Sequence, residues 1–257
     1  MGKKMRQEIL DRCLVVTFSM GERTEELADL CFEKLGFKNR LVLSTSDGFD
    51  DKFLKFAQIA SESEYDFFVR NDADRLVFSG ILELLDLVVH NKDISWATGS
   101  YYDYLMARFR IGTPSIHRKD NLSFLVDNPS LMQDVQKPEA TYATSIKDKF
   151  MLKDVDIFTN LHEFEQYPSK ICNAFLNRLA RGHYPYLYDT GHLESLPAHY
   201  KKAIEHAFFV WRQHGFKNSM KFENFSFLDD GFLPIDQSEL DVLYEKYKNK
   251  YDKVSRG

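Results

Sequence analysis

Cysteine is scarce. Cys13, Cys31 and Cys172 are the three in 257 residues, an odd number without C-x-x-C spacing, which argues against a disulfide framework and against a cysteine zinc site. Long apolar runs are missing too: no segment is long enough to span a bilayer. The opening Met-Gly-Lys-Lys-Met-Arg-Gln-Glu is basic, but no apolar run of signal-peptide length follows it. A soluble, cytoplasmic chain is expected. The formal charge is −5 and the pI near 5.9, with no Lys/Arg stripe interleaved with aromatics, so nucleic acid is not an expected partner and an anionic ligand would need a local site. Neither G-x-G-x-x-G after the first strand nor G-x-x-x-x-G-K-[ST] anywhere is present, which leaves dinucleotide and P-loop enzymes as poor fits. Position 166 is Gln, so His162-Glu163 does not open an H-E-x-x-H zinc-peptidase motif. No internal repeat or low-complexity segment is visible.

What is present suits one α/β domain with additions. The length can bury a sizeable core. Aromatics make up 14% of the chain, with 22 Phe and 13 Tyr, enough for a dense core or for a cleft with aromatic walls; core is the expected use for most of them. Cys13 to Phe18 reads as a buried strand, and Leu27, Leu30, Cys31 and Leu35 recur at helical spacing before Gly36 closes the helix. Leu41 to Leu43 make a second strand. A polar loop from Ser44 to Asp51 follows, then a second helix with Phe53, Phe56, Ala57 and Ala60 on one face. Asp66 to Val69 is a third strand, with Asn71-Asp72-Ala73-Asp74 at its carboxyl end. Strands alternating with helices predict a mostly parallel sheet with right-handed crossovers, which binds ligands at the carboxyl ends of its strands. Thr17 to Arg23, Ser44 to Asp47 and Asn71 to Asp74 would then share one rim.

Two carboxylates one residue apart on an extended segment can hold a divalent ion and leave its other positions for water and phosphate oxygens. Asp154-Val155-Asp156 has the same spacing but follows the polar Lys147-Asp148-Lys149, not a continuous apolar strand. The stretch Tyr-Asp-Phe-Phe-Val-Arg-Asn-Asp-Ala-Asp, from Tyr65 to Asp74, with the amphipathic run Gly80 to Val89 after it, resembles the D-x-D region of nucleotide-sugar glycosyltransferases of the GT-A fold, family 2-like. The resemblance implies a GT-A-like, Rossmann-like α/β architecture with a mostly parallel central sheet and a helical C-terminal portion. It also implies transfer of a sugar from a nucleotide-diphosphate-sugar donor to a hydroxyl of a saccharide acceptor, as in polysaccharide biosynthesis, with Mn²⁺ or Mg²⁺ as cofactor. In that family one D-x-D carboxylate usually meets the metal and the other the ribose or a metal-bound water, which corresponds to Asp74 and Asp72. A later His sometimes completes the metal shell, and His162, His183 and His192 all qualify by position. Thr17, Arg23, Asp47, Asn71, Asp72 and Arg118 are the expected donor contacts.

Further along, Ile94 to Thr98 reads as a fourth strand, with Gly99 turning the chain toward Tyr101-Tyr102-Asp103-Tyr104. Gly112 to Asp120 resembles the stretch where GT-A chains return to the sheet behind the acceptor site, which would set Arg118 and Lys119 against phosphate or an acidic acceptor. Asp120 to Lys149 is irregular, broken at Asn128-Pro129 and Lys137-Pro138, and is where a substrate-covering loop is expected. Pro168 suits the first turn of a helix with Ile171, Cys172, Phe175, Leu176 and Leu179 on its apolar face. His162, Glu163 and Glu165 fall at or just before its N-terminus, where the helix dipole alone would favour carboxylates. By resemblance, Glu163 is the expected general base of an inverting transfer, with Glu165 in reserve. Tyr184 to His192 is a polar-aromatic loop, Pro197 to Gly215 a helix, and a last helix with Asp236 and Glu239 at its start docks on the same domain or touches a membrane surface peripherally. Residues 1–196 form the expected catalytic domain and 197–257 its C-terminal helices. A nucleotidyltransferase of similar architecture and a non-catalytic glycan- or partner-binding domain remain as alternatives.

Overall fold

The computed structural model describes residues 3–44, 49–106, 108–132, 138–180, 196–214 and 225–232, together with single positions 194, 238, 242, 245 and 249. In chain order these residues form α1 (Lys3–Asp11), β1 (Cys13–Ser19), α2 (Glu25–Lys34), β2 (Arg40–Ser44), α3 (Phe49–Glu62), β3 (Phe67–Asp72), β4 (Arg75–Val77), α4 (Gly80–His90), β5 (Ile94–Asp103), β6 (Arg108–Arg118), α5 (Lys119–Asp127), α6 (Pro138–Ile146), β7 (Met151–His162), α7 (Pro168–Ala180) and α8 (Ala198–His214).

The strands make one sheet of seven in the order β2-β1-β3-β6-β5-β7-β4. Strand β1 is parallel to β2 and β3, and β5 is parallel to β7; β6 runs antiparallel between β3 and β5, and β4 antiparallel to β7. The mostly parallel sheet is thus the expected one. Every residue of β1 is buried, and its side chains alternate between two cores, as a strand covered on both faces requires. Cys13 and Val15 pack with Leu27, Cys31 and Phe32 of α2 and Ile81, Leu84 and Val88 of α4. Leu14, Val16 and Phe18 pack on the other side with Phe53, Phe56 and Ala57 of α3, Leu122 of α5 and Tyr142 of α6. A third cluster joins α7 to α8 through Cys172, Phe175, Leu179, Tyr200, Ala203 and Ala207, with Leu105 and Met106 beyond the end of β5.

The structure differs from the sequence expectation at four places. Strand β3 runs on through Asn71 and Asp72, so the D-x-D begins inside the sheet. Gly99 does not turn the chain: β5 continues to Asp103, and Gly99 marks a bulge where a Cβ would lie 2.7 Å from the Ile157 carbonyl oxygen. The stretch from Asp120 to Lys149 is not irregular but holds α5 and α6. Asp154 and Asp156 belong to the twelve-residue β7, on its mostly exposed first half, where polar residues hide a strand from pattern reading.

Candidate functional site

Parallel pairing of β1 with β3 sets Thr17 opposite Asn71 and Phe18 opposite Asp72, so both strands deliver their ends to one rim. The Ala73 amide donates to the Phe18 carbonyl at 2.9 Å and the Thr24 hydroxyl donates to the Ala73 carbonyl at 2.8 Å, which ties the D-x-D turn to the loop after β1. The chain reverses at Ala73-Asp74 into β4, and β4 pairs with β7 so that Arg75 faces His162. The Glu163 amide then donates to the Asp74 carbonyl at 2.9 Å. Residues 74 and 162–163, far apart in sequence, become neighbours by sheet register.

The two D-x-D carboxylates have different surroundings. Asp72 is occupied: Arg70 reaches one oxygen at 2.7 Å and Arg75 the other at 3.2 Å, and Arg70 also pairs with Glu139 of α6 at 2.9 Å. Asp74 faces the His162 Nε2 at 3.3 Å, and its buried Oδ1 has no hydrogen-bond partner among the described residues. Behind it, the fully buried Asp103 lies 3.6 Å from His162 Nδ1, 3.2 Å from Arg178 and 3.6 Å from Arg110. Arg178 also holds both oxygens of Glu163, one at 3.1 Å, while the Tyr200 hydroxyl donates to the Glu163 carbonyl at 2.5 Å. Burial works against charge on both His162 and Asp74. On His162, Arg75 adds to that penalty, but Asp74, Glu163 and Asp103 outweigh both and push its pKa up to about 10. On Asp74, His162, Arg75 and Arg178 outweigh burial and hold the carboxyl down to about 2.

An oxygen of Asp74, a ring nitrogen of His162 and an oxygen of Glu163 lie within 4.8 Å of one another. The partnerless Asp74 Oδ1 and the imidazole beside it fit a divalent cation, which would compete with a proton for the His162 ring. Glu163 and Asp72 fit less well because arginines already occupy their oxygens. The sequence expectation of metal ligation at Asp72 is thus set against a carboxylate that serves as counter-ion to Arg70 and Arg75.

Of the other expected residues, Thr17 and Asn71 are buried in neighbouring strands at the rim, and Arg23 lies in the loop after β1, where its charge opposes the burial that raises the Glu165 carboxyl. Asp47, His183 and His192 lie outside the described residues. Arg118 is a correction. Because β6 is antiparallel to β3, Arg118 pairs with Phe67 at the amino end of β3, the far edge from Asp74. There its guanidinium donates to the carbonyls of Ile94 at 2.9 Å, Asn91 at 3.2 Å and Val88, and so caps the end of α4. Lys119 likewise donates to the Ser63 carbonyl at 2.5 Å. Glu163 and Glu165 lie just before α7, as expected, in left-handed backbone, φ 59° and 50°, between β7 and the helix.

The site opens into a cavity of about 330 Å³ lined by Met20, Glu22, Asp74, Leu105, Glu163 and Tyr200 on one side and by Gln166, Lys170, Asn173 and Asn177 of the α7 region on the other. Sequence reading missed this wall, since attention to the apolar face of α7 passed over the polar stripe at positions 166, 170, 173 and 177. Their spacing of four, three and four is itself helical and was the available signal. Arg70 and Arg75 were missed too, although they flank the D-x-D in sequence.

No protein-family model and no curated protein matches the chain. Among solved structures it is similar to a cytidylyltransferase from Leptospira borgpetersenii, at 16% identity over 82% of this chain and 99% of that one, TM-score 0.42. It is similar as well to a glycosyltransferase involved in glycosylation of the major capsid of PBCV-1, at 12% identity over 58% and 92%, TM-score 0.39. A putative nucleotide-diphospho-sugar transferase from Desulfovibrio desulfuricans aligns at 12% identity over 82% and 85%, TM-score 0.35. Scores this low do not choose a reaction. The seven-stranded, mostly parallel sheet with flanking helices is a Rossmann-like α/β arrangement. Among the described residues no helix is long and apolar enough to cross a membrane.

Proposed function

We propose that the chain is a metal-dependent glycosyltransferase, moving a sugar from a nucleotide-diphosphate donor to a saccharide hydroxyl. The observation that carries this reading is Asp74: a carboxylate at the carboxyl rim of the sheet, with a partnerless oxygen, beside His162, on the wall of a cavity. Asp74 and His162 would hold Mn²⁺ or Mg²⁺, and the ion, when bound, supplies charge stabilisation for the departing diphosphate. Arg70 and Arg75 keep Asp72 aligned behind it. Arg178 makes Glu163 an anchor for the turn after β7, since a buried guanidinium holds both of its oxygens.

Glycosyl transfer is favoured over nucleotidyl transfer by the loop after β1. A nucleoside triphosphate would need several donors there, whereas this loop sets Glu22 beside its single arginine, Arg23, and opens α2 with Glu25 and Glu26. We treat residues 1–196 as the catalytic domain and 197–257 as helices that complete it, because Tyr200 of α8 reaches both the Glu163 carbonyl and the cavity. The cytoplasm is the compartment we propose, in keeping with three buried cysteines that lack C-x-x-C spacing. The product decides between the reactions: glycosyl transfer from UDP- or GDP-sugars to saccharides releases nucleoside diphosphate, while nucleotidyl transfer from a triphosphate to a sugar phosphate releases pyrophosphate. Pyrophosphate release alone would overturn the proposal.

A further inference from the structure

Two buried hydrogen-bond acceptors on the cavity beside Asp74 have no partner among the described residues. Gln166 is only 3% exposed; its amide nitrogen donates to the Thr24 hydroxyl at 2.7 Å and to the Phe164 carbonyl at 3.1 Å, yet its Oε1 is buried with no partner. Asp74 Oδ1 is in the same state on the same cavity, and it is the atom given to the cation above. Glu22 supplies a third acceptor. Its Oε2 takes the Met20 amide at 2.5 Å and the Ser19 hydroxyl at 3.2 Å, and the residue lines the cavity. The loop that carries it is fixed: Gly21, at φ +75°, donates to the Ser19 hydroxyl at 3.1 Å, and Lys170 donates from α7 to the Met20 carbonyl at 2.8 Å.

The same cavity is lined by Asn173 and Asn177, whose amides both donate and accept. The rest of the wall is apolar, from Met20, Leu105, Ile171, Ala174 and Tyr200. Acceptors, amides and an apolar wall together match a neutral polyhydroxylated ring, whose hydroxyls donate and accept and whose C–H faces are apolar. The size, about 330 Å³, is at the small end of ligand pockets.

Resting on the glycosyltransferase reading above, we infer that this cavity seats the neutral saccharide that carries the attacking hydroxyl, and that Glu22 is the catalytic base that takes its proton. The hydroxyl oxygen forms a bond to the donor's anomeric carbon. The bond from that carbon to the diphosphate oxygen breaks, its electron pair leaves on the diphosphate, and the hydroxyl proton passes to the Glu22 carboxylate. Lys170 and the Met20 amide hold the loop while this happens, and Glu163 stays paired with Arg178.

The test uses the full chain, as wild type, Glu22→Gln, the Asn173→Ala/Asn177→Ala double variant and, as a second way to close the cavity, Ala174→Phe. Saturation-transfer NMR is run with methyl glycosides of glucose, galactose, mannose and N-acetylglucosamine, with Mg²⁺ and UDP or GDP present. A glycoside that takes up saturation is then the acceptor in assays with UDP-glucose, UDP-galactose, UDP-N-acetylglucosamine and GDP-mannose. At least one glycoside should take up saturation from the wild type and from Glu22→Gln, and lose it in the double variant and in Ala174→Phe. In Glu22→Gln, kcat should fall by about 10²- to 10⁴-fold, with KM for donor and glycoside within about threefold. Wild-type kcat in Glu22→Gln overturns the base, and unchanged glycoside contact in both cavity variants overturns the pocket. Nucleotide binding with no glycoside contact in the wild type overturns this inference alone; no nucleotide binding at all overturns the glycosyltransferase reading and this inference with it.

Discussion

Asp74 and Asp72 are two residues apart and chemically identical, yet their neighbours give them different tasks. Arginines occupy Asp72, while Asp74 keeps an oxygen without a partner. Asp74→Ala should therefore abolish metal-dependent nucleotide-diphosphate binding in a chain that stays folded, a loss of several kcal/mol of charge stabilisation. Asp154→Ala/Asp156→Ala, on the exposed start of β7, should leave binding intact, and calorimetry on both variants checks the contrast. His117 offers a separate test in the core. It stacks on Trp96 with ring centroids 4.6 Å apart, and burial first, then the charge of Arg70, hold its pKa down to about 3. Between an unfolded value near 6.5 and that folded value, the unfolded chain binds a proton that the folded chain refuses. Stability from this group is complete above about pH 6.5 and falls as the pH drops toward about 3. His117→Phe should lose about 2 kcal/mol less than the wild type on going from about pH 7 to about pH 5, by urea unfolding. Equal losses would mean His117 charges in the folded state. At this scale the D-x-D was legible because its residues are adjacent in sequence, whereas what separates Asp74 from Asp72 is the pairing of Asp72 with Arg70 of β3 and Arg75 of β4 and the approach of His162 from β7, which spacing alone does not show.

Among elements, those with clean periodicity were readable. Strand β1, α2, α3, α4 and α7 appear where their apolar spacing and their Gly or Pro boundaries put them, and Gly36 does adopt the positive φ, +94°, of a helix terminator. Strand β7 was not readable, because its first half faces solvent with Lys153, Asp154 and Asp156 and so lacks an apolar run. Missing β7 made His162 and Glu163 look like a helix start, when register with β4 is what sets them beside Asp74. Two substitutions test how the elements are held. At Gly80, the first residue of α4, a Cβ would fall on the Phe158 carbonyl oxygen of β7. Gly80→Ala should cost about 1–3 kcal/mol by pushing α4 off the sheet, visible as a lower urea midpoint with unchanged slope. Arg178 joins α7 to the ends of β5 and β7 through Asp103 and Glu163, all buried. Arg178→Met strands both acids and should cost about 3–5 kcal/mol. A loss under about 1 kcal/mol would show that the network contributes little to holding α7.

For the molecule as a whole, the sheet gathers the loop after β1, the turn after β3 and the end of β7 at one rim, and α7 with α8 closes the cavity there. The general place of this rim was legible from strand–helix alternation. Its far wall was not, since it depends on how α7 docks and on Tyr200 of α8 reaching the Glu163 carbonyl. The central claim is that this rim binds a nucleoside diphosphate through a cation at Asp74. Isothermal titration of the full chain with UDP, GDP and CTP, each with Mn²⁺ and with excess EDTA, tests it most directly. The account predicts saturable heat for UDP or GDP with Mn²⁺ and its loss in EDTA. Equal affinity in EDTA, or saturable binding of CTP alone, would contradict it.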